Sequence, residues 1–327
     1  MTGYSGSAGI SRLGEDSAVS GTDAKGLFLK VFAGEVLTAF NTNNIAMPLH
    51  NVRTIASGKS AQFPLTGISS TGSHTAGAEI VPTAINHSEK IITIDDLLVS
   101  SAFISNIDEA MNHYDVRSIY SKQIGEALAK KADKDIFNAI ANASVGKDGA
   151  GAALPQADDS ITSGATLASG ATNAAISGQT AADSIFAALQ TLDEKNVSGE
   201  RYVVVNPAIY YSMFKGTTAN MAGFMSSDFG SGGNATSGQV PMIGGAKVYM
   251  SNNLPAETDY NGTGAGNRDV QALVFTKQAA GTVKLLDLGV ESEYLIQNQG
   301  TLMVAKYAMG HDALRGECAV RIVEAIS

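Results

Sequence analysis

From Ser105 to Val145 the chain contains no proline and a single glycine, Gly125. Few architectures accommodate an uninterrupted segment of that kind. At ~1.5 Å per residue, roughly 35 helical residues span about 50 Å, far beyond an average helix of ~11 residues. Ser105 or Asn106 can cap the start, with Asp108 and Glu109 near the positive end of the helix dipole. Ile107, Met111 and Tyr114 open an apolar stripe that Ile124, Leu128, Ile136 and Ile140 continue with drift. Lys122, Glu126, Lys130, Lys131 and Lys134 supply the polar face. The expected helix covers 107–141. Taken alone, it fits a long core-flanking helix of any α+β protein.

The segments around it alternate between short periodic runs and small polar residues. Residues 1–24 are rich in Gly, Ser and Thr and read as a mobile arm. Residues 26–40, GLFLKVFAGEVLTAF, place Phe28, Phe32, Val36 and Phe40 four apart, one stripe of a short helix weakened by Gly34. The pattern becomes β-like over 52–64, and IITIDDLLV at 91–99 reads as a strand. Small polar residues fill 67–77, so the two strands form a long hairpin. Such a hairpin has a poor core of its own and needs a neighbour to lie on. After the long helix, 146–178 is low-complexity loop. A helix is expected over 181–195, with Ile185, Leu189 and Leu192 on one face. A buried strand, RYVVVN at 201–206, stops at Pro207, and a short helix follows over 208–214. Residues 216–238 read as loop, and 245–251 and 270–276 as strands. A second long hairpin, 282–296 and 301–309, turns at 297–300, and a last strand covers 319–325. No internal repeat is visible.

Composition narrows the function classes. The 327 residues suffice for one large domain or two ordinary ones. Only 16% are charged, and Trp is absent, which suits a chain that hides surface against copies of itself, because interface cores are depleted of charge. The net charge of -9 comes without any run of Lys and Arg, so the chain lacks the basic footprint that grips phosphates. The single cysteine, Cys318, excludes an intrachain disulfide framework and reads as a small buried hydrophobe. The first residues have no apolar core of a signal peptide, and no apolar stretch has the length of a membrane span.

Motifs of catalysis and cofactor binding fail on spacing. G-x-S-x-G is absent, and His50, His74, His87, His113 and His311 are scattered, with no H-E-x-x-H. His113, Tyr114 and Asp115 are consecutive on the expected helix, where consecutive side chains point apart. Gly58-Lys59-Ser60 resembles the tail of a phosphate loop. The leading glycine is missing, because Arg53 stands five positions before Gly58, and a strand follows where a helix is needed. Gly262, Gly264 and Gly266 lack the rest of a dinucleotide fingerprint. Asp95 and Asp96 are adjacent on an expected strand and face opposite sides. No catalytic, metal or cofactor-binding residue is assigned and no cofactor is expected. The chain is not read as an enzyme.

Four blocks in order carry a family resemblance: 26–40, SGKSAQFP at 57–64, AMNHYDVRS at 110–118 and AKYAMGH at 305–311. Together they resemble the major capsid protein of short-tailed double-stranded-DNA bacteriophages. The resemblance is dense over 26–125, returns over 281–315 and is weak over 143–279. It implies an α+β chain with the tailed-phage major capsid fold of the Hong Kong phage type. Its parts would be an N-terminal arm (1–50), an E-loop hairpin reaching across an adjacent subunit (51–92), a P-domain on the long spine helix (93–150 and 277–312) and an A-domain (151–276 and 313–327).

The implied function is structural. Copies would form the hexamers and pentamers of an icosahedral head, assembled in the host cytoplasm. That shell encloses double-stranded DNA without sequence-specific binding and has no membrane. The implied partners are a separate scaffolding protein, since no long scaffold segment precedes about Gly26, a portal protein and decoration proteins. Phe28, Phe32, Phe40, Arg53, Lys59 and Phe63 are the candidate intersubunit contacts. The Lys–Asn isopeptide motif of one branch of the family cannot be matched here, so shell strength is expected from non-covalent contacts or from separate cement proteins. An encapsulin-type nanocompartment shell shares the fold and is the alternative. An unrelated hydrolase or a secreted glycine-rich adhesin lacks, respectively, a nucleophile motif and a signal peptide.

Overall fold

The computed structural model describes residues 35–40, 43–67, 87–94, 97–107, 116–154, 165–166, 178–214, 242–256, 258–260 and 269–323, with 71, 73, 74, 77, 79 and 85 singly. In chain order the elements are β1 (Asn51–Thr54), β2 (Ser60–Thr66), β3 (His87–Thr93), β4 (Leu98–Ser105), α1 (Val116–Val145), β5 (Ala165–Thr166), α2 (Gly178–Glu194), β6 (Arg201–Val205), α3 (Pro207–Phe214), β7 (Met242–Ile243), β8 (Ala246–Met250), β9 (Val270–Thr276), β10 (Ala280–Leu295), β11 (Gly300–Ala313) and β12 (Ala319–Val323). The chain divides into two compact units. One comprises Met1–Asn44, Asp95–Asp133 and Lys284–Met309, the other Ile45–Ile94, Lys134–Val283 and Gly310–Ser327.

The long helix is present, with different ends from those expected. Residues 106 and 107 are helical, 108–115 lie outside the described residues, and α1 runs to Val145. The expected stop at 141 falls four residues short. The true stop is Gly146, whose φ of 71° is left-handed backbone that glycine adopts without steric cost. Its N–H bonds Ala143 O at 2.9 Å, and Lys147 N–H bonds Asn142 O at 3.1 Å, the paired closure of a helix terminated by glycine. Ile124, Leu128, Ile136 and Ile140 are buried as the stripe requires, while Lys122, Lys130, Lys131 and Lys134 are exposed. The last turns, 139–145, are buried all round.

In the first unit, β10, β11 and β4 are neighbours in that order. The run 91–99, expected as one strand, is two strands in different sheets. β3 ends at Thr93 and pairs with β2, whereas β4 begins at Leu98 and pairs antiparallel with β11. Asp95 and Asp96 lie outside the described residues. Residues 35–40 form helix against α1. Gly125 permits this: a Cβ there would stand 2.7 Å from Val36 O and 2.8 Å from Ala39 Cβ. Ser121 Oγ donates to Glu35 Oε2 at 2.5 Å across the same contact.

The second unit is built on a six-stranded sheet, order β5-β12-β9-β6-β8-β7. β6 pairs antiparallel with β9 and parallel with β8. One face packs on α2 and α3 through Ile185, Leu189, Leu192, Ile209 and Met213. The other packs on the end of α1 through Ile136, Phe137 and Ile140. Strands covered on both faces read as continuous apolar runs, and RYVVV and VQALVFT are such runs.

Candidate assembly surface

Four of the six candidate contact residues fall on described residues. Phe28 and Phe32 lie outside them. Phe40 is 4% exposed and packs edge-on against Tyr307 with ring centroids 6.0 Å apart, so its ring is used inside its own unit and is no surface contact. Arg53 is exposed on β1 and donates from Nη1 to Gln62 O at 2.5 Å. Lys59 is exposed in the turn before β2, where its carbonyl accepts Ile94 N–H at 2.8 Å. Phe63 is half-buried on β2, opposite Lys90.

The two-stranded β2–β3 sheet has two chemically distinct faces. Ala61, Leu65 and Ile92 are buried on one. Ser60, Gln62, Pro64 and Thr66 of β2, paired with Thr93, Ile91, Glu89 and His87 of β3, are exposed on the other. The hairpin, expected to have a poor core of its own, is fastened at its root. Lys90 Nζ sits 2.7 Å from Asp148 Oδ2 and 3.0 Å from Asp312 Oδ2, all three side chains largely buried. Asp148 Oδ1 also accepts Ala152 N–H, and Asp312 Oδ1 accepts Gly149 N–H. Burial alone would lower the Lys90 pKa, but the hydrogen bond to Asp148 and the charge of Asp312 outweigh it and raise it. Burial would likewise raise Asp148, and the bond from Lys90 brings it below the ordinary carboxylate value. Residues 90, 148 and 312 are too distant in sequence for any local pattern to join them.

The histidines scattered in sequence are not all scattered in space. Thr282 Oγ1 lies 2.5 Å from His50 Nε2 and 2.8 Å from His311 Nδ1. His50 Nδ1 faces Ala46 O at 2.9 Å, and a carbonyl only accepts, so Nδ1 carries the proton. With that ring neutral, the threonine hydroxyl donates to Nε2 and can accept from His311 Nδ1. This chain of hydrogen bonds cross-links the roots of β10 and β11 to the turn before β1. Among the described residues no three His, Cys, Asp or Glu converge as a metal would need.

The sheet of the first unit carries a surface that the sequence reading did not single out. On β11, Met303, Ala305 and Tyr307 are buried. The opposite face is formed by Val99, Ser101 and Phe103 of β4, lying across from Lys306, Val304 and Leu302 of β11. Val99 is 49% exposed, Phe103 44%, and Leu97 just before the strand 49%. Lys306 of this face pairs with Glu291 of β10 at 2.7 Å. β4 is also the terminal strand of the sheet. An apolar stripe on an edge strand is a surface that soluble monomers ordinarily cover or charge.

The sequence model of the family described as "Gp10A-like: Major capsid protein" matches residues 62–323. The major capsid protein of Escherichia phage T7 is 34% identical over 327 residues, covering 93% of this chain and 94% of that protein. The T7 minor capsid protein is 34% identical, over 93% of this chain and 81% of its own length. A capsid structure of the cyanophage P-SCSP1u superposes with a TM-score of 0.69 at 40% identity, covering 98% of this chain and 100% of that one. The fold is therefore the tailed-phage capsid fold, and these relatives are structural virion proteins rather than enzymes. They do not favour the nanocompartment alternative. The chain belongs to the Gp10A-like major capsid protein family.

Proposed function

We propose that copies of this chain associate as the hexamers and pentamers of an icosahedral phage head, and that the open face of β4 and β11 is one of the surfaces they bury. The exposed apolar stripe of Leu97, Val99 and Phe103 on an edge strand carries this reading. The outer face of β2–β3 is a second contact surface, with Lys59 at its turn and Arg53 on the adjoining β1. In this reading the first compact unit corresponds to the P-domain with the arm. The six-stranded sheet corresponds to the A-domain, and β2–β3 is the base of the E-loop. A scaffolding protein, a portal and decoration proteins complete the assembly. The head encloses double-stranded DNA by containment, which the net charge of -9 supports.

Purified protein examined by sedimentation and negative-stain microscopy tests the proposal. Closed particles tens of nanometres across are expected for the wild type, and folded subunits or open fragments for Phe103→Glu. Normal particles from Phe103→Glu would remove the β4 face from the account.

A further inference from the structure

Among the described residues Arg321 is a buried cation without a counter-charge. It lies on β12 opposite Leu273 of β9 and is 7% exposed. Nε and Nη1 are both buried and without a hydrogen-bond partner. Its Cζ lies 5.3 Å from the centre of the Tyr260 ring, and a ring face offsets only part of the cost of burying a charge. A guanidinium does not escape that cost by losing its proton. Native proteins seldom leave buried donors empty, and an unfilled set points to a bound ion or molecule.

A second orphan lies beside the first. Gln271 is two residues from Leu273 on β9, on the same face of the sheet as Arg321. Its Oε1 is also buried and unpartnered. Turning the amide by half a turn puts its NH2 where the oxygen now stands, so that Gln271, like Arg321, can donate to an acceptor entering on that face. Nε and Nη1 belong to different edges of the guanidinium and share Nη2 between them, so either edge is available to an oxygen ligand.

We propose that Arg321, flanked by Gln271 and covered by Tyr260, is a binding site for a single carboxylate. The class follows from the chemistry: a planar anion of two acceptor oxygens matches the fork and neutralises the charge. Two sources supply it. One is a free small acid. The other is an Asp or Glu of a second copy, which the acidic composition, 31 Asp and Glu against 22 Lys and Arg, makes abundant. The second source rests on the shell reading above, but the site itself does not.

Formate is the probe. Unassembled full-length subunits are melted at neutral pH while sodium gluconate, too bulky for a buried site, is replaced by sodium formate at constant ionic strength. The wild type should gain about 2 °C or more in a saturable way, and Arg321→Met and Arg321→Gln should gain nothing. No saturable gain in the wild type, or an equal gain in either variant, overturns the site. Repeating the titration on assembled particles identifies the source. Loss of the formate response there means that a neighbour's carboxylate has taken the site, and a retained response means a free acid. The subunit titration needs no particles, so failure of the shell reading and failure of the site are separable.

Discussion

The two sheets of this protein are finished to different degrees. The central strands of the six-stranded sheet are covered on both faces, by α2 and α3 on one side and the end of α1 on the other, and β9 and β12 are buried along their whole length. The sheet of β10, β11 and β4 buries Met303, Ala305 and Tyr307 on one face and leaves Val99 and Phe103 open on the other. Folding of one chain buries the apolar side chains of the central strands of the first sheet. The second retains apolar surface that, in the proposed assembly, a neighbouring copy covers. Stability and assembly should therefore separate by sheet.

The largest effect should come from the finished side. Phe137 is fully buried in the core between α1 and the six-stranded sheet. Phe137→Ala should cost ~3–5 kcal/mol, the lost transfer energy plus a cavity. Chemical denaturation of unassembled subunits reads this directly, and a loss under 1 kcal/mol would mean that this core is looser than its packing indicates.

An intermediate effect is expected at the hairpin root. Lys90→Met leaves Asp148 and Asp312 facing each other without their cation, at a cost of ~2 kcal/mol, between the values for exposed and buried pairs. The pH dependence has a defined sign. Asp148 is depressed when folded, so its contribution is present above its unfolded pKa of about 4 and is lost as pH falls through the lower folded value. Lys90 is raised, so its contribution is present below its unfolded pKa of about 10.4 and is lost as pH rises through the higher folded value. Lys90→Met should remove part of both limbs of a stability–pH curve, and an unchanged curve would place the clamp outside the stability of the subunit.

The smallest stability effect should come from the open face. Val99→Glu adds a charge where solvent already reaches, so unassembled subunits should change by less than about 0.5 kcal/mol. Assembly should nevertheless fail, because a buried unpaired charge at each repeated contact is costly. Light scattering during assembly, alongside thermal melts of subunits, separates the two quantities.

Legibility in the sequence followed the same division. Strands buried on both faces appear as apolar runs, and the α1 stripe appears as a helical period. β4 was hidden for two reasons. Its neighbour β3 merges with its start in IITIDDLLV, and the serines at 100, 101 and 105 interrupt its apolar pattern. Gly146 was a legible stop, but the low-complexity tract that follows it obscured which glycine ended the helix. Phe40 kept the expected stripe yet proved to be interior, since periodicity reports that a face is buried and not what buries it. Lys90 with Asp148 and Asp312, His50 with His311, and Arg321 with Gln271 are joined only by tertiary register, which one sequence does not encode locally.

Hydrogen exchange compared between unassembled subunits and assembled particles tests the central claim most directly. Amides of β4 (Leu98–Ser105) should slow at least about tenfold on assembly as the open face and edge are covered, whereas those of β9 (Val270–Thr276), already enclosed, should not change. Identical exchange of β4 in the two states would contradict the account, because the unfinished sheet would then remain unfinished in the shell.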